Sequence, residues 1–322
     1  MALMASSALS RPAVSNRASA RCLVREVSSA PGWLQHMRER PALQVLPSGM
    51  TPAEHLNADK LSRAQILALE RELDNGESIY WLRRFNKALS SLPDDETAVR
   101  AIMRPVWNEL AYNLESFNPL FTAAVLKVQN TLGSSDYEAR DTALAHLIQP
   151  LAGEYGLHHS IPLGNTHRQL FAEFYESVTG EQLSELLAQE NQPPAAAQAL
   201  FERMLTDVST GGGREDPVEQ ASYALGYNLA VEYLAQYEKG WLLDSFRELN
   251  RRVLAPAGRE VEWLFLEVHA DGEPEHADLG HAAVAAFAPE CFKDAVRQGI
   301  RDHDTDFSAF YQCLTEMLEA QI

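Results

Sequence analysis

From Leu61 to the C-terminus the chain repeats one pattern, and that pattern confines it to helices. Apolar residues recur close to every 3.6 positions, the period of one buried helix face. In SRAQILALERELDN they fall at 66, 67, 69 and 73. The same patterning returns over 97–132, 136–156, 165–179, 181–190, 194–208, 216–250, 259–287 and 289–320. Proline and glycine punctuate it at Pro93, Gly133, Pro162–Gly164, Gly180, Pro193–Pro194, Gly211–Gly213, Pro256–Gly258 and Pro289, as breakers should. No stretch shows sustained period-two alternation between hairpin turns. The expectation is an all-α domain over 61–322, with eight or nine helices around one core and no internal repeat. The run STGGGREDP at 209–217 is the expected flexible loop.

The first thirty residues have a different composition. They hold four Arg, many Ala and Ser, and one acid, Glu26. That is the profile of an organellar transit peptide. Its Ser and Ala richness favours a chloroplast, with the mitochondrion as the alternative. Residues 31–60 are Pro-containing and weakly periodic, and read as a linker. The net charge is −18. It argues against a nucleic-acid or anionic-membrane surface, since both need clustered Lys and Arg. No apolar run approaches the ~20 residues of a membrane span. Cys22, Cys291 and Cys313 form neither a disulfide framework nor a CxxC site, and fit a reducing compartment.

The chemistry concentrates in VEWLFLEVHADGEPEHADLG, residues 261–280. His269, Glu273 and His276 stand at i, i+4 and i+7, so a helix would put them on one face. Two imidazoles and a carboxylate suit iron, manganese or zinc. A solvated polar turn is the competing reading, because Asp271, Glu275, Asp278 and His281 make the whole segment polar. Gly272 and Pro274 also sit inside the would-be helix. An interior Pro costs ~3 kcal/mol, so this helix is either kinked or dependent on its metal. Three further places hold a lone acid, or an acid and a His, in apolar surroundings. These are Glu115 in AYNLESFNPLF, Glu154 with His167 in GEYGLHHSIPLGNTHRQLF, and Glu232 in ALGYNLAVEYLA. Singly, each reads as a solvated acid. Jointly, ligands drawn from separate helices resemble the way helical carboxylate proteins hold two metal ions.

In order and content these segments resemble the haem-oxygenase-like diiron oxidases and oxygenases, over roughly residues 75–290. That family shares its scaffold of about seven core helices with thiaminase II and the pyrroloquinoline-quinone synthase; an extra N-terminal helix is expected here. The Glu-containing NLESFNPLF, the GEYG step, THRQLF, ALGYNLAVE and the terminal HADGEPEH carry the likeness. Where the family has Asp in the last motif, this chain has Glu273, flanked by Gly272 and Pro274, and its Glu154-to-His167 loop looks longer. The resemblance implies two irons per chain with O2 as co-substrate. One iron would take Glu115, His167 and Glu232. The other would share Glu232 and add His269, Glu273 and His276. Glu154 would be a movable carboxylate with a catalytic part, and Tyr175 the catalytic aromatic among Tyr112, Phe171, Tyr227 and Tyr233. The implied substrate is a small carboxylate- or amine-bearing molecule. A homodimer and an external electron donor are compatible with it. Two other readings stay open: a non-redox binding or regulatory protein on the same scaffold, and a structural partner protein.

Overall fold

The computed structural model describes residues 58–157, 164–189 and 194–322, apart from the side chains at 115, 189, 238–241, 269 and 271–275. The leader read over 1–30, with its chloroplast address, and the expected linker up to residue 57 lie outside the described residues. The helices are α1 (Arg63–Glu70), α2 (Glu77–Ser90), α3 (Glu96–Gln129), α4 (Tyr137–Glu154), α5 (His167–Thr179), α6 (Leu183–Gln189), α7 (Ala195–Thr210), α8 (Pro217–Leu249), α9 (Leu264–Phe287) and α10 (Lys293–Glu319). No strand occurs among the described residues; a single bridge pairs Lys60 with Pro289. The end of the linker is therefore pinned to the turn before α10, where Leu61 donates to the Ala288 carbonyl at 3.0 Å.

The helix starts follow from their capping residues. Ser62 and Thr166 each form a reciprocal capping box, with Gln65 and Gln169. Asp95, Asp136 and Asp216 cap α3, α4 and α8. Each cap supplies an acceptor to backbone N–H groups that the first turn cannot satisfy. The glycines of 209–217 form a turn closed by Gly212 N to Asp207 O at 2.9 Å.

Helix α2 is absent from the expected stretches, although Ile79, Leu82, Phe85, Ala88 and Leu89 repeat on its buried face. Arg83, Arg84 and Lys87 interrupt that run on the opposite face and mask its period. Pro93 separates α2 from α3 and Pro289 separates α9 from α10, as expected, but other prolines are accommodated within helices. Pro105 and Pro119 lie inside α3 and Pro150 inside α4. Likewise α9 runs from Leu264 to Phe287 across Gly272 and Pro274.

Helix α8 is the axle of the domain, packed upon by α2, α3, α9 and α10. Residues 221–232 of α8 are buried without exception. A helix buried on every side belongs in the middle of a fold, and this stretch of α8 is so placed. Its approach to α10 depends on two glycines. A Cβ at Gly226 would stand 2.2 Å from the Val296 carbonyl oxygen, and one at Gly299 would stand 2.2 Å from the Tyr223 carbonyl oxygen. On the other flank α4 packs along α9, and α3 along α4 and α7. The helices α3, α4, α5, α8 and α9 together surround the cavity described next.

Candidate functional site

A cavity with about 820 Å³ of atom-free space, its mouth included, lies among these five helices. Helix α3 lines it with Trp107, Leu110, Asn113, Leu114, Phe117 and Phe121. Positions 107, 110, 114, 117 and 121 step by three and four residues, with Asn113 beside them, so they form one face of the helix. Helix α5 adds Phe171 and Phe174, α8 adds Val231, Ala235, Leu242 and Phe246, and α9 adds Phe265 and Leu266. Into this apolar wall project Glu154, His167, Glu232 and His276. Among the described lining residues there is no Lys or Arg.

The four polar residues form two acid–imidazole pairs. Glu154 ends α4 and His167 opens α5. The turn between them closes on itself: Gly156 adopts φ 75°, and Gly164 N donates to its carbonyl at 2.9 Å. The ends of the loop meet, so Glu154 is carried to His167, with Oε1 2.8 Å from Nδ1. Also on the cavity wall, Glu232 of α8 faces His276 of α9, with Oε2 3.6 Å from Nδ1. Glu232 is only 3% exposed, and a carboxylate held out of water needs charge compensation.

Four of the seven expected ligands therefore meet at one cavity. The side chains of the other three, Glu115, His269 and Glu273, lie outside the described residues. Their backbones are placed: residue 115 falls in α3 between cavity-lining positions 114 and 117, and residues 269 and 273 precede His276 on α9 by seven and three. Among the described residues no group of three or more His, Cys, Asp or Glu side chains is gathered as a metal site.

The polar neighbours of His276 have other duties. His281 is buried against Glu70 of α1, with Nε2 2.6 Å from Oε1. Burial of its ring opposes protonation, yet the Glu70 carboxylate prevails and raises the imidazole above its ordinary value. Asp278 pairs with Arg63 at 3.2 Å. Both contacts tie α9 to α1.

Tyr175 does not line the cavity. Its phenol donates to Glu181 at 3.3 Å, and its ring stands edge-on to Trp107. It follows Phe174 by one residue, which turns it 100° around α5 from the cavity face. Tyr227 donates to Asp306 and Tyr233 bonds Asp74, so neither supplies a cavity hydroxyl. Of the aromatics named from sequence, only Phe171 lines the wall. Trp107, Phe117, Phe121, Phe174, Phe246 and Phe265 were not foreseen. For Trp107, Phe117 and Phe121 the signal was the aromatic spacing on α3, which core packing produces equally well.

No protein-family model and no curated protein matches the chain. Two crystal structures of a CadD-like protein of unknown function from Nostoc punctiforme resemble it in fold. One aligns with a TM-score of 0.59 and 17% identity over 79% of this chain and 96% of that one. The other gives 0.57 and 16% over 80% and 95%. At such identity the likeness concerns the fold alone, the haem-oxygenase-like all-helical arrangement.

Proposed function

We propose that the cavity is the active site of an iron-dependent oxidase or oxygenase acting on a small, largely apolar substrate with one polar end. The carrying observation is the convergence of the Glu154–His167 and Glu232–His276 pairs on one otherwise apolar cavity. Carboxylate oxygen with imidazole nitrogen is a donor set suited to first-row metals such as iron. It also lets a metal supply the charge compensation that two buried acids require. Glu154, His167, Glu232 and His276 would hold the metal, with Glu115, His269 and Glu273 completing two sites. Bound ferrous iron would supply the electrons that reduce O2.

The residues around the donors have separable tasks. The Trp107, Phe171, Phe174, Phe246 and Phe265 wall excludes water and takes up the apolar body of the substrate. The polar end is left to the acid–imidazole pairs. Glu154 sits at a helix terminus on a turn, so it can swing more readily than Glu232, which is held within the central helix. His167 accepts or returns a proton at Nδ1, the atom that faces Glu154.

A non-redox binding protein is the second reading, and one observation favours it. The Glu154–His167 contact of 2.8 Å gives each of the two side chains a polar partner without a metal. Anaerobic titration with ferrous iron, followed by O2 mixing and stopped-flow absorbance, separates the two. About two irons per chain, the complement of helical carboxylate proteins, with a transient visible band supports the oxidase. No uptake and no band overturns it.

A further inference from the structure

Tyr175 is off the cavity, yet it is linked to it. Trp107 lines the cavity, and its ring centroid lies 5.6 Å from that of Tyr175, at 81°. Both rings are fully enclosed, at 2% and 1% exposure. The Tyr175 hydroxyl donates to Glu181 Oε2 at 3.3 Å. The same oxygen accepts from Arg104 Nη1 at 2.8 Å, and these two side chains are partly open to solvent. An indole at the cavity, a phenol behind it and a solvated carboxylate behind that stand in series.

We propose that Trp107, Tyr175 and Glu181 form an electron and proton path that connects the cavity with the protein surface. It rests on the redox reading of the cavity. A strong one-electron oxidant of the kind formed from iron and hydrogen peroxide takes an electron from Trp107, leaving the indole radical cation. Tyr175 returns that electron to Trp107 and passes its phenolic proton to the Glu181 carboxylate. The result is a neutral Tyr175 radical, a protonated Glu181 and a restored indole. One electron has moved inward and one hole outward, and no bond to carbon has changed. An external reductant at the surface then reduces Tyr175, and Glu181 gives the proton back. The path serves as an exit for holes when no substrate is bound, and as an entry for electrons from a donor.

Two features of the chain suit this role. Burial raises the Tyr175 phenol above its ordinary value, with Glu181 adding to the effect, so the resting tyrosine keeps its proton until it is oxidised. Trp107 packs against Phe174 and stacks on Phe246, which keeps water from the oxidised indole. A buried phenol needs an acceptor in any core; here that acceptor is a carboxylate partly open to solvent, which gives the proton a place to go.

The test loads the full chain anaerobically with ferrous iron alone, measures bound iron, adds hydrogen peroxide and freezes the sample for electron paramagnetic resonance. A neutral tyrosyl signal is expected from the wild type. Tyr175→Phe should lose it and accumulate a tryptophan radical, with iron content unchanged. Trp107→Phe should also lose the tyrosyl signal while keeping its iron. Glu181→Gln should delay its appearance, because the proton has lost its acceptor. Tyr137→Phe, at an exposed position outside the cavity lining, should leave the signal intact. Persistence of the signal in Tyr175→Phe, or its absence from an iron-loaded wild type, overturns the path. Failure of the wild type to bind iron overturns the metal reading and takes the path with it, and the iron measurement tells these failures apart.

Discussion

Glu154 and His167 are thirteen residues apart in sequence and 2.8 Å apart in space, joined across the closed end of one loop. If this pair binds metal, removing either partner leaves the other with half a donor set. His167→Ala and Glu154→Gln should each weaken ferrous binding by more than about tenfold, the loss that even a supporting partner of a metal ligand produces. Equilibrium dialysis measures it. Unchanged affinity with intact helical circular dichroism would remove the pair from the metal site.

The cavity wall is also part of the core. Phe171 is 3% exposed and meets Trp107 and Phe265 edge-on. Phe171→Ala should cost about 3–5 kcal/mol. Each kcal/mol lowers the melting temperature by roughly 2–4 °C in a domain of this size. A much smaller drop in thermal melts would mean that the wall collapses into the cavity, and that the cavity is soft.

A pH experiment addresses the far side of α8, where His303 and Asp306 of α10 pack against Tyr227. His303 is wholly buried, and burial lowers its ring from 6.5 to about 3. It favours the neutral ring, so its contribution to stability is present above pH 6.5 and is lost as pH falls toward 3. Asp306 is pushed up from 3.8 to about 6 by burial, against the Tyr227 hydrogen bond and the Arg203 charge, with Asp207 and Asp302 adding to the rise. Its contribution is present below pH 3.8 and is lost as pH rises through 6. Each slope is at most about 1.4 kcal/mol per pH unit. Between pH 4 and 6 the two oppose each other, and denaturant midpoints of the wild type should change little on their account. Asp306→Asn should expose the His303 slope, with stability falling on acidification. His303→Leu should expose the opposite slope. Parallel pH profiles in all three proteins would refute both assignments.

The close crossing of α8 and α10 makes a sharper contrast. Gly226→Ala drives a methyl against a backbone carbonyl, which cannot turn aside. Overpacking of this kind costs about 1–3 kcal/mol, more than the ~1 kcal/mol that Ala gains in helix propensity. At Gly280 the nearest atom is the tip of the Leu229 side chain, at 3.1 Å, and it can rotate away. Gly226→Ala should therefore destabilise and Gly280→Ala should be close to neutral in the same melts. Equal effects would show that the crossing is loose.

These residues show which parts of the structure could be read from sequence. The all-α class was legible because apolar periodicity reports a buried face directly, and the stretch 216–250 was legible as a helix on the same ground. The missing helix α2 shows the limit of that signal, since three cations on its outer face break the run that the inner face keeps. Glu232 and His276 were legible as ligand candidates because an acid among apolar neighbours is costly and therefore conspicuous. Tyr175 was misplaced for the opposite reason. Aromatic residues are at home on any apolar face, and a one-residue step around α5 separates Phe174 in the cavity wall from Tyr175 behind it. The aromatic lining was illegible because cavity walls and solid core use the same residue types.

Pro274 gives the last prediction. Helix α9 runs through it although proline lacks the N–H that the carbonyl of residue 270 would accept. Pro274→Ala restores that donor and removes the ring, a gain of about 3 kcal/mol in helix propensity at an interior position. If the middle of α9 is held in shape by a metal, the substitution should slow amide exchange across residues 268–278 in the metal-free protein, and added iron should slow it little further. In the wild type, iron should produce most of that protection. Exchange that is slow in the metal-free wild type and indifferent to both changes would show that α9 needs neither the metal nor relief from the proline.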